Sequence, residues 1–200
     1  MKFRSLALTL VWVVLAHAAG AASIWDETLN GDLSNDRANP TLLTPLSIGS
    51  NTISGTVTQG ERDYFRFNVP TGYTLNQIFL TVHSPANTSF FAIQSGTQIT
   101  VDPTAPTAGP LLGYVHTGGG LVGTDVLDDM ATSNLLIPAA QGFSLPLGPG
   151  DYSFWMQQTS AILTSYAFDV IIAPEPTTAA LFGLGLASLA IARRRSAQRR

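Results

Sequence analysis

The 200-residue chain has no cysteine, and only 12% of its residues are charged, about half of the roughly 25% typical of soluble domains. The absence of cysteine excludes a disulfide scaffold and a cysteine-ligated metal site. Ten Lys and Arg residues against thirteen acidic residues leave no basic excess for binding nucleic acid. A 45% apolar fraction is nevertheless enough for a packed core.

The first 22 residues have the three-part pattern of a secretory signal peptide. Lys2 and Arg4 precede an apolar run over residues 6–16, and small residues end the segment at Ala21 and Ala22. The apolar run is shorter than a full membrane span. We therefore predict export through the Sec translocon and cleavage by signal peptidase near Ala21 or Ala22. An uncleaved N-terminal anchor is the alternative.

The last 27 residues form a second segment, in which Pro174-Glu175-Pro176 precedes an apolar run over residues 177–192 and then Arg193-Arg194-Arg195. A transmembrane helix needs about 17–25 residues, so the run predicts a short span. The arginines are expected to stay in the cytoplasm, which places the body of the protein outside the inner membrane. The alternative, a core helix with a basic tail, is disfavoured because the run has no polar face.

In this order, the Pro174-Glu175-Pro176 triplet, the glycine-containing apolar run and the arginine cluster resemble the PEP-CTERM sorting signal of Gram-negative bacteria. The resemblance implies recognition by exosortase, an integral-membrane, transpeptidase-like enzyme, and a precursor anchored in the inner membrane by its C-terminal helix. It also implies delivery to the cell surface or to the exopolysaccharide matrix of a biofilm. Both removal and retention of the helix are compatible with this pattern.

The body between these segments, residues 23–173, has the size of one domain. It carries twelve acidic residues and three arginines (Arg37, Arg62 and Arg66), which gives a net charge of −9. A body of this charge repels nucleic acid and attracts divalent cations.

Alternation of apolar and polar residues predicts an all-β body. In residues 63–69, for example, Phe65, Phe67 and Val69 share one face of a half-buried strand. Further strands are predicted over residues 51–57, 75–82, 89–94, 111–116, 151–158 and 164–172, with long loops over residues 102–109 and 117–140. Their number and spacing favour a single antiparallel β-sandwich, jelly-roll-like in character.

Two segments of the body resemble the pre-peptidase C-terminal (PPC-like) β-sandwich domains of bacteria. Residues 61–72, ERDYFRFNVPTG, are similar to the strand of those domains that carries Asp-Tyr-Phe and ends in Val-Pro-x-Gly. Residues 148–155, GPGDYSFW, are similar to their Pro-Gly-x-Tyr strand. Because PPC-like domains are accessory modules, the resemblance implies a domain without an active site.

Catalytic motifs are incomplete in this chain. Residues 142–146, GFSLP, lack the final glycine of the Gly-x-Ser-x-Gly nucleophile motif, and the His116-Gly-rich segment has no nucleophile to serve. Asp125 with Asp128 or Asp129 would supply the carboxylate pair of a glycosidase, although carboxylates clustered in a loop are usually solvated. We therefore predict no enzyme activity and no catalytic residues, and a secreted hydrolase is the least favoured function.

Calcium is the one ion that the sequence suggests. Asp32 and Asp36 in one segment, and Asp125, Asp128 and Asp129 in another, offer the hard oxygen ligands that Ca²⁺ prefers. Neither segment matches the twelve-residue calcium loop, and the same residue types form turns without an ion. No other cofactor is predicted.

A carbohydrate contact is the remaining candidate site. Alternation places Trp155 on the same strand face as Ser153 and Gln157, where an exposed indole would stack on a sugar ring. The alternative is a core tryptophan. The favoured function is thus a non-enzymatic surface or matrix protein sorted by exosortase. The second is a polysaccharide-binding module of the matrix, assisted by Ca²⁺.

Overall fold

The computed structural model describes residues 21–104, 107–175 and 183–188. Its strands are β1 (Ala22–Asp26), β2 (Thr41–Leu42), β3 (Gly49–Val57), β4 (Arg62–Val69), β5 (Tyr73–Ser84), β6 (Thr88–Ser95), β7 (Gly113–Gly118), β8 (Gly150–Gln157) and β9 (Thr164–Pro174). The helices of the body are α1 (Glu27–Asn30) and α2 (Val126–Ala131), with 3₁₀ turns at Gly119–Leu121 and Ser133–Leu135.

The strands form two sheets that pack face to face. Sheet A has the order β1-β3-β9-β5, and sheet B has the order β2-β4-β8-β6-β7. The predicted β-sandwich is therefore confirmed, and each of the seven predicted strands is present with its ends shifted by at most two residues. The edge strands β1 and β2 were not predicted, and both pair in parallel with their neighbours, so the sheets are not purely antiparallel.

The main core lies between the sheets. Phe91 of β6 and Phe168 of β9 stack across it, with ring centroids 4.2 Å apart. Phe65, Phe67 and Val69 are fully buried here, as their alternation predicts. These side chains remove most of the apolar surface of both sheets from water, which is the dominant favourable contribution to folding.

A second apolar cluster covers the outer face of sheet B. Its members are Tyr64, Ala92, Ile99, Val101, Ala108, Leu111, Tyr114, Ala140 and Trp155. The five that lie outside β4, β6, β7 and β8 all belong to the long connections on either side of β7. The prediction that β4 is half-buried is therefore wrong at Tyr64, because these connections fold back over the sheet.

The segment over residues 117–140 is not a continuous loop, because it contains α2. Asp125 caps this helix by accepting a hydrogen bond from the backbone N–H of Leu127, at 3.1 Å. Val126, Leu127 and Met130 are buried against the core. The helix has only six residues, too few for the 3.6-residue periodicity to be recognised in the sequence.

The strand register brings both ends of the body to one end of the sandwich. Because β1 runs parallel to β3 and β9 runs antiparallel to it, Ala22 pairs with Asn51, which pairs with Val170. We call the end that holds Ala22 and the end of β9 the tail end. The opposite end, at which β3 finishes and β9 begins, is the distal end.

The predicted signal peptide and the predicted transmembrane helix over residues 177–192 lie largely outside the described residues. Within the tail, residues 183–188 are helical. In the described part of the chain, no helix has the length and apolar character needed to cross a membrane.

Candidate functional site

Three carboxylates meet at the distal end of the sandwich. Glu27 begins α1, Asp32 follows that helix, and Asp63 lies near the start of β4. One carboxylate oxygen from each lies within 4.8 Å of the other two, and we call these three residues the carboxylate cluster. Because Ca²⁺ binds oxygen at about 2.3–2.6 Å, a single ion placed among the three oxygens could contact all of them.

Glu27 is held in position by the backbone around it. Its Oε2 accepts a hydrogen bond from the backbone N–H of Thr56 at 2.7 Å, and its Oε1 accepts one from Leu33 at 3.4 Å. Gly55 leaves the room for this arrangement, since a Cβ at that position would lie 2.7 Å from the Glu27 carboxylate. The Glu27 side chain thereby adds to the backbone pairing of β1 with β3 in holding the N-terminal segment against the sheet.

Asp63 is the most deeply buried member of the cluster. The hydroxyl of Tyr166 donates a hydrogen bond to its Oδ2 at 2.8 Å, whereas its Oδ1 is buried and accepts none from the described residues. Burial, which is the largest cause, and the negative charges of Glu27, Glu61 and Asp32 together raise the pKa of Asp63 to about 8, although the hydrogen bond from Tyr166 lowers it. A buried carboxyl of this kind holds a proton at neutral pH unless a cation takes the proton's place.

The cluster overlaps with the predicted calcium ligands only at Asp32. Asp36 closes a turn of its own, accepting hydrogen bonds from the backbone of Ala38 at 2.9 Å and from the Asn39 side chain at 2.7 Å. These bonds lower the pKa of Asp36 and occupy its oxygens.

The second predicted group surrounds the start of α2. Asp125 accepts hydrogen bonds from the backbone N–H groups of Ile78 and Leu127, and Asp128 and Asp129 form the first helical turn. Acidic residues at this position stabilise a helix through its dipole. Asp125 thus positions α2, whereas Asp128 and Asp129 lie within its first turn, where burial and the neighbouring carboxylates raise the pKa of Asp129.

The sequence does not indicate that Glu27 and Asp63 join Asp32 in one carboxylate cluster. Asp63 is one residue of an alternating strand, and Glu27 lies in a segment that no pattern assigned to an element. Only the register of β1 on β3, together with the position of β4 in the facing sheet, brings them together. The one signal in the sequence was that alternation places Asp63 on the same strand face as the apolar Phe65 and Phe67.

Trp155 does not lie on an exposed polar face. It is 3% exposed and packs against Phe90, with ring centroids 4.7 Å apart. Ser153 beside it is buried and hydrogen-bonded to the backbone, and Gln157 accepts a hydrogen bond from Arg62 at 3.2 Å. The predicted surface for stacking a sugar on Trp155 is therefore absent, because the second apolar cluster covers it.

A cavity of about 240 Å³ nevertheless lies beside this cluster. Its walls include Phe90, Tyr114, His116, Ile137 and Trp155. His116 and Ile137 are exposed at its rim. The cavity is mostly apolar and aromatic, which is the usual character of a ligand pocket.

The residues considered for hydrolysis belong to separate environments. His116 packs against Phe90 and Tyr114, and the Nε2 of the buried His83 lies 3.1 Å from the Ser89 hydroxyl. Ser144 is exposed, and no hydrogen bond joins it to a histidine within the described ranges.

The sorting triplet begins inside the sandwich. Pro174 is the last residue of β9 and pairs with Tyr73 of β5. The backbone N–H of Glu175 then donates a hydrogen bond to the carbonyl of Gly72, at 2.9 Å. Pro176 and the arginine cluster lie outside the described residues.

Comparison with known families supports the interpretation of the tail. Residues 173–195 match the PEP-CTERM protein-sorting motif, and comparison with curated proteins gives no match. The matched residues include the triplet, the apolar run and the arginine cluster, so the resemblance noted from the sequence is confirmed. This chain therefore carries the PEP-CTERM sorting motif, which marks it as an exported protein whose membrane-anchored precursor is processed by exosortase.

Proposed function

We propose that this chain is a non-enzymatic protein of the cell surface or extracellular matrix of a Gram-negative bacterium, with the β-sandwich as the exported cargo. The observation that carries the proposal is the direct connection between β9 and the matched motif, which share Ala173 and Pro174. Since no linker or further domain lies between the two, the segment that exosortase sorts is the sandwich itself.

The absence of enzyme activity in this proposal is supported by how the candidate catalytic groups are used. Asp125 caps α2, and the ring of His116 packs against Phe90 and Tyr114. A hydrolase needs a nucleophile and a base within hydrogen-bond reach of each other. Ser144 makes no hydrogen bond to a histidine within the described ranges, and the serine that does contact one, Ser89 beside His83, is buried together with it in the sandwich.

A divalent cation, best matched by Ca²⁺, completes the distal end in this proposal. The support is the donor set, because three carboxylate oxygens converge and the buried Oδ1 of Asp63 has no other partner. An ion there would connect the N-terminal segment, through Glu27 and Asp32, to β4. It would act as a structural fastener rather than as a catalytic group.

The test of sorting compares the full chain with a chain that ends at Ala173, each produced in the bacterium that makes the protein. Added protease and fractionation report where each chain lies. The full chain should pass through the inner membrane and reach the surface or matrix. The shortened chain should be exported but released without surface attachment. Identical distribution of the two chains would contradict the proposal.

A second candidate function, polysaccharide binding, is favoured by the aromatic cavity beside Trp155. His116→Ala and Ile137→Ala alter its exposed rim without opening the core, and Asn35→Ala provides an exposed control elsewhere. Weaker binding of the host's own exopolysaccharide by the two rim variants, but not by the control, would support this function. Equal binding by all chains would exclude this cavity as the site.

A further inference from the structure

The matched sorting motif and the folded sandwich overlap, and this overlap has consequences for processing. The motif begins at residue 173, whereas β9 continues to Pro174. Through Glu175 the chain is still bonded to the turn that precedes β5. The first two residues of the motif therefore belong to the sheet, and the third is hydrogen-bonded to the turn beside it.

The pairing of β9 with β5 can include Pro174 because of the direction in which its nitrogen faces. Neighbouring N–H groups of a strand point to opposite sides, and the N–H of Glu175 points toward β5. The nitrogen of Pro174 therefore faces the other side, where the pairing of β9 with β3 has already ended at Ile172. The missing donor of Pro174 costs the sheet no hydrogen bond at this position.

The acceptor for Glu175 is fixed by a tight turn. The backbone N–H of Tyr73 donates to the carbonyl of Pro70 at 3.1 Å, which closes the turn. Gly72 has a φ of +86°, a conformation that side-chain-bearing residues rarely adopt. The Gly72 carbonyl is thereby held in line with β9 rather than left in a mobile loop.

Both segments that are expected to enter the membrane leave the sandwich at the same end. Ala22, where the signal peptide is predicted to end, and Pro174, where the sorting tail begins, both lie at the tail end. Both flanking segments carry cations on the side expected to stay in the cytoplasm. An enzyme in the membrane would therefore meet the tail end first.

We propose that the Pro70–Gly72 turn slows the sorting reaction. Its hydrogen bond to Glu175 holds the start of the motif against the sandwich, and the turn therefore competes with exosortase for the motif. The proposal rests on exosortase processing of this tail. An enzyme that cleaves a peptide must take its backbone into a cleft, and residues 173–175 have one backbone edge occupied by β5 and by the turn that precedes it. The backbone N–H of Glu175 must therefore leave the Gly72 carbonyl before exosortase can process the chain.

The test inserts Gly-Ser between Ala173 and Pro174 in the full chain, which moves the motif away from the turn. A matched control has Gly-Ser between Ala161 and Ile162, which are exposed in the connection between β8 and β9. Pulse-chase labelling in the exporting cell measures conversion of the precursor to the processed form. Loss of one backbone hydrogen bond shifts an opening equilibrium roughly fivefold, so the first insertion should speed processing about fivefold and the control should not.

Hydrogen exchange of the Glu175 amide in the detergent-solubilised full chain gives a second readout. We expect protection in the natural chain and in the control, and its loss in the chain with the insertion before Pro174. Unprotected exchange in the natural chain, or equal or slower processing after that insertion, would overturn the proposal. Absence of processing in every chain would contradict sorting by exosortase, and the proposed effect of the turn with it. Processing at an equal rate with and without the insertion would contradict only the effect of the turn.

Discussion

The hydroxyl of Tyr166 donates a 2.8 Å hydrogen bond to the buried carboxylate of Asp63, and this bond joins the two sheets of the sandwich. Tyr166 belongs to β9 in sheet A, and Asp63 belongs to β4 in sheet B. Apolar side chains form the main core between the sheets, and a second buried polar contact joins them where His83 of β5 meets Ser89 of β6. The contact between Tyr166 and Asp63 lies where the core opens toward the carboxylate cluster.

Removal of this hydroxyl should destabilise the domain. In Tyr166→Phe, Asp63 loses its one donor among the described side chains, and an unsatisfied buried polar group costs about 1–3 kcal/mol. Denaturant unfolding in the presence of a chelator measures the loss. Tyr73→Phe, at a partly exposed position, is the control and should unfold like the natural protein. An unchanged free energy of unfolding in Tyr166→Phe would show that the bond contributes nothing.

Calcium should stabilise the exported protein. An ion that binds only the folded state adds about 2.7 kcal/mol to the free energy of unfolding at a hundred times its Kd. Asp63→Asn should abolish the increase, because it removes a charged ligand from the cluster. Asp36→Asn, outside the cluster, should retain it. A calcium-induced rise of equal size in the Asp63→Asn variant would contradict the proposed site.

His83 should contribute less to the stability of the protein as the pH falls. Burial lowers the pKa of this histidine below its ordinary value of 6.5. As the pH falls below 6.5, the unfolded chain binds a proton at His83 that the folded chain does not, so this contribution decreases toward lower pH, whereas the raised pKa of Asp63 makes the contribution of Asp63 increase. Between pH 7.5 and 5.5, the change in the free energy of unfolding should therefore be more favourable to the folded state in His83→Gln than in the natural protein, as measured by urea unfolding. An equal change in the two proteins would mean that protonation of His83 is not coupled to folding.

The stacked phenylalanines should dominate the stability of the core. Phe91→Ala removes a side chain that is 1% exposed and stacks on Phe168, and such a change costs about 3–5 kcal/mol. Ile137→Ser, at a residue that is 98% exposed, should change the free energy of unfolding by no more than about 0.5 kcal/mol. Thermal unfolding of the two variants side by side checks both expectations.

The sequence was sufficient for the strands because alternation and turn residues are local signals. The seven predicted strands follow them, including the faces of Phe65 and Phe67. The position of Trp155 could not be obtained in this way, since its burial depends on long connections that fold over sheet B. The carboxylate cluster depends on three segments that meet only through strand register, so composition could suggest calcium but could identify only Asp32 correctly as part of the group.

The tail was predictable for a different reason. The triplet, the apolar run and the arginines follow one another directly along the chain, so they are recognised without knowledge of the fold, and the match over residues 173–195 spans all three. What the sequence did not indicate is that the motif starts within β9. That property follows from the pairing of Pro174 with Tyr73.

Mass spectrometry of the mature protein, combined with its cellular location, decides whether the chain is exported and processed. We expect a chain outside the inner membrane that begins near Ala22 and lacks residues 181–200. A full-length chain, from Met1 to Arg200, recovered in the soluble cytoplasmic fraction would contradict both export and processing.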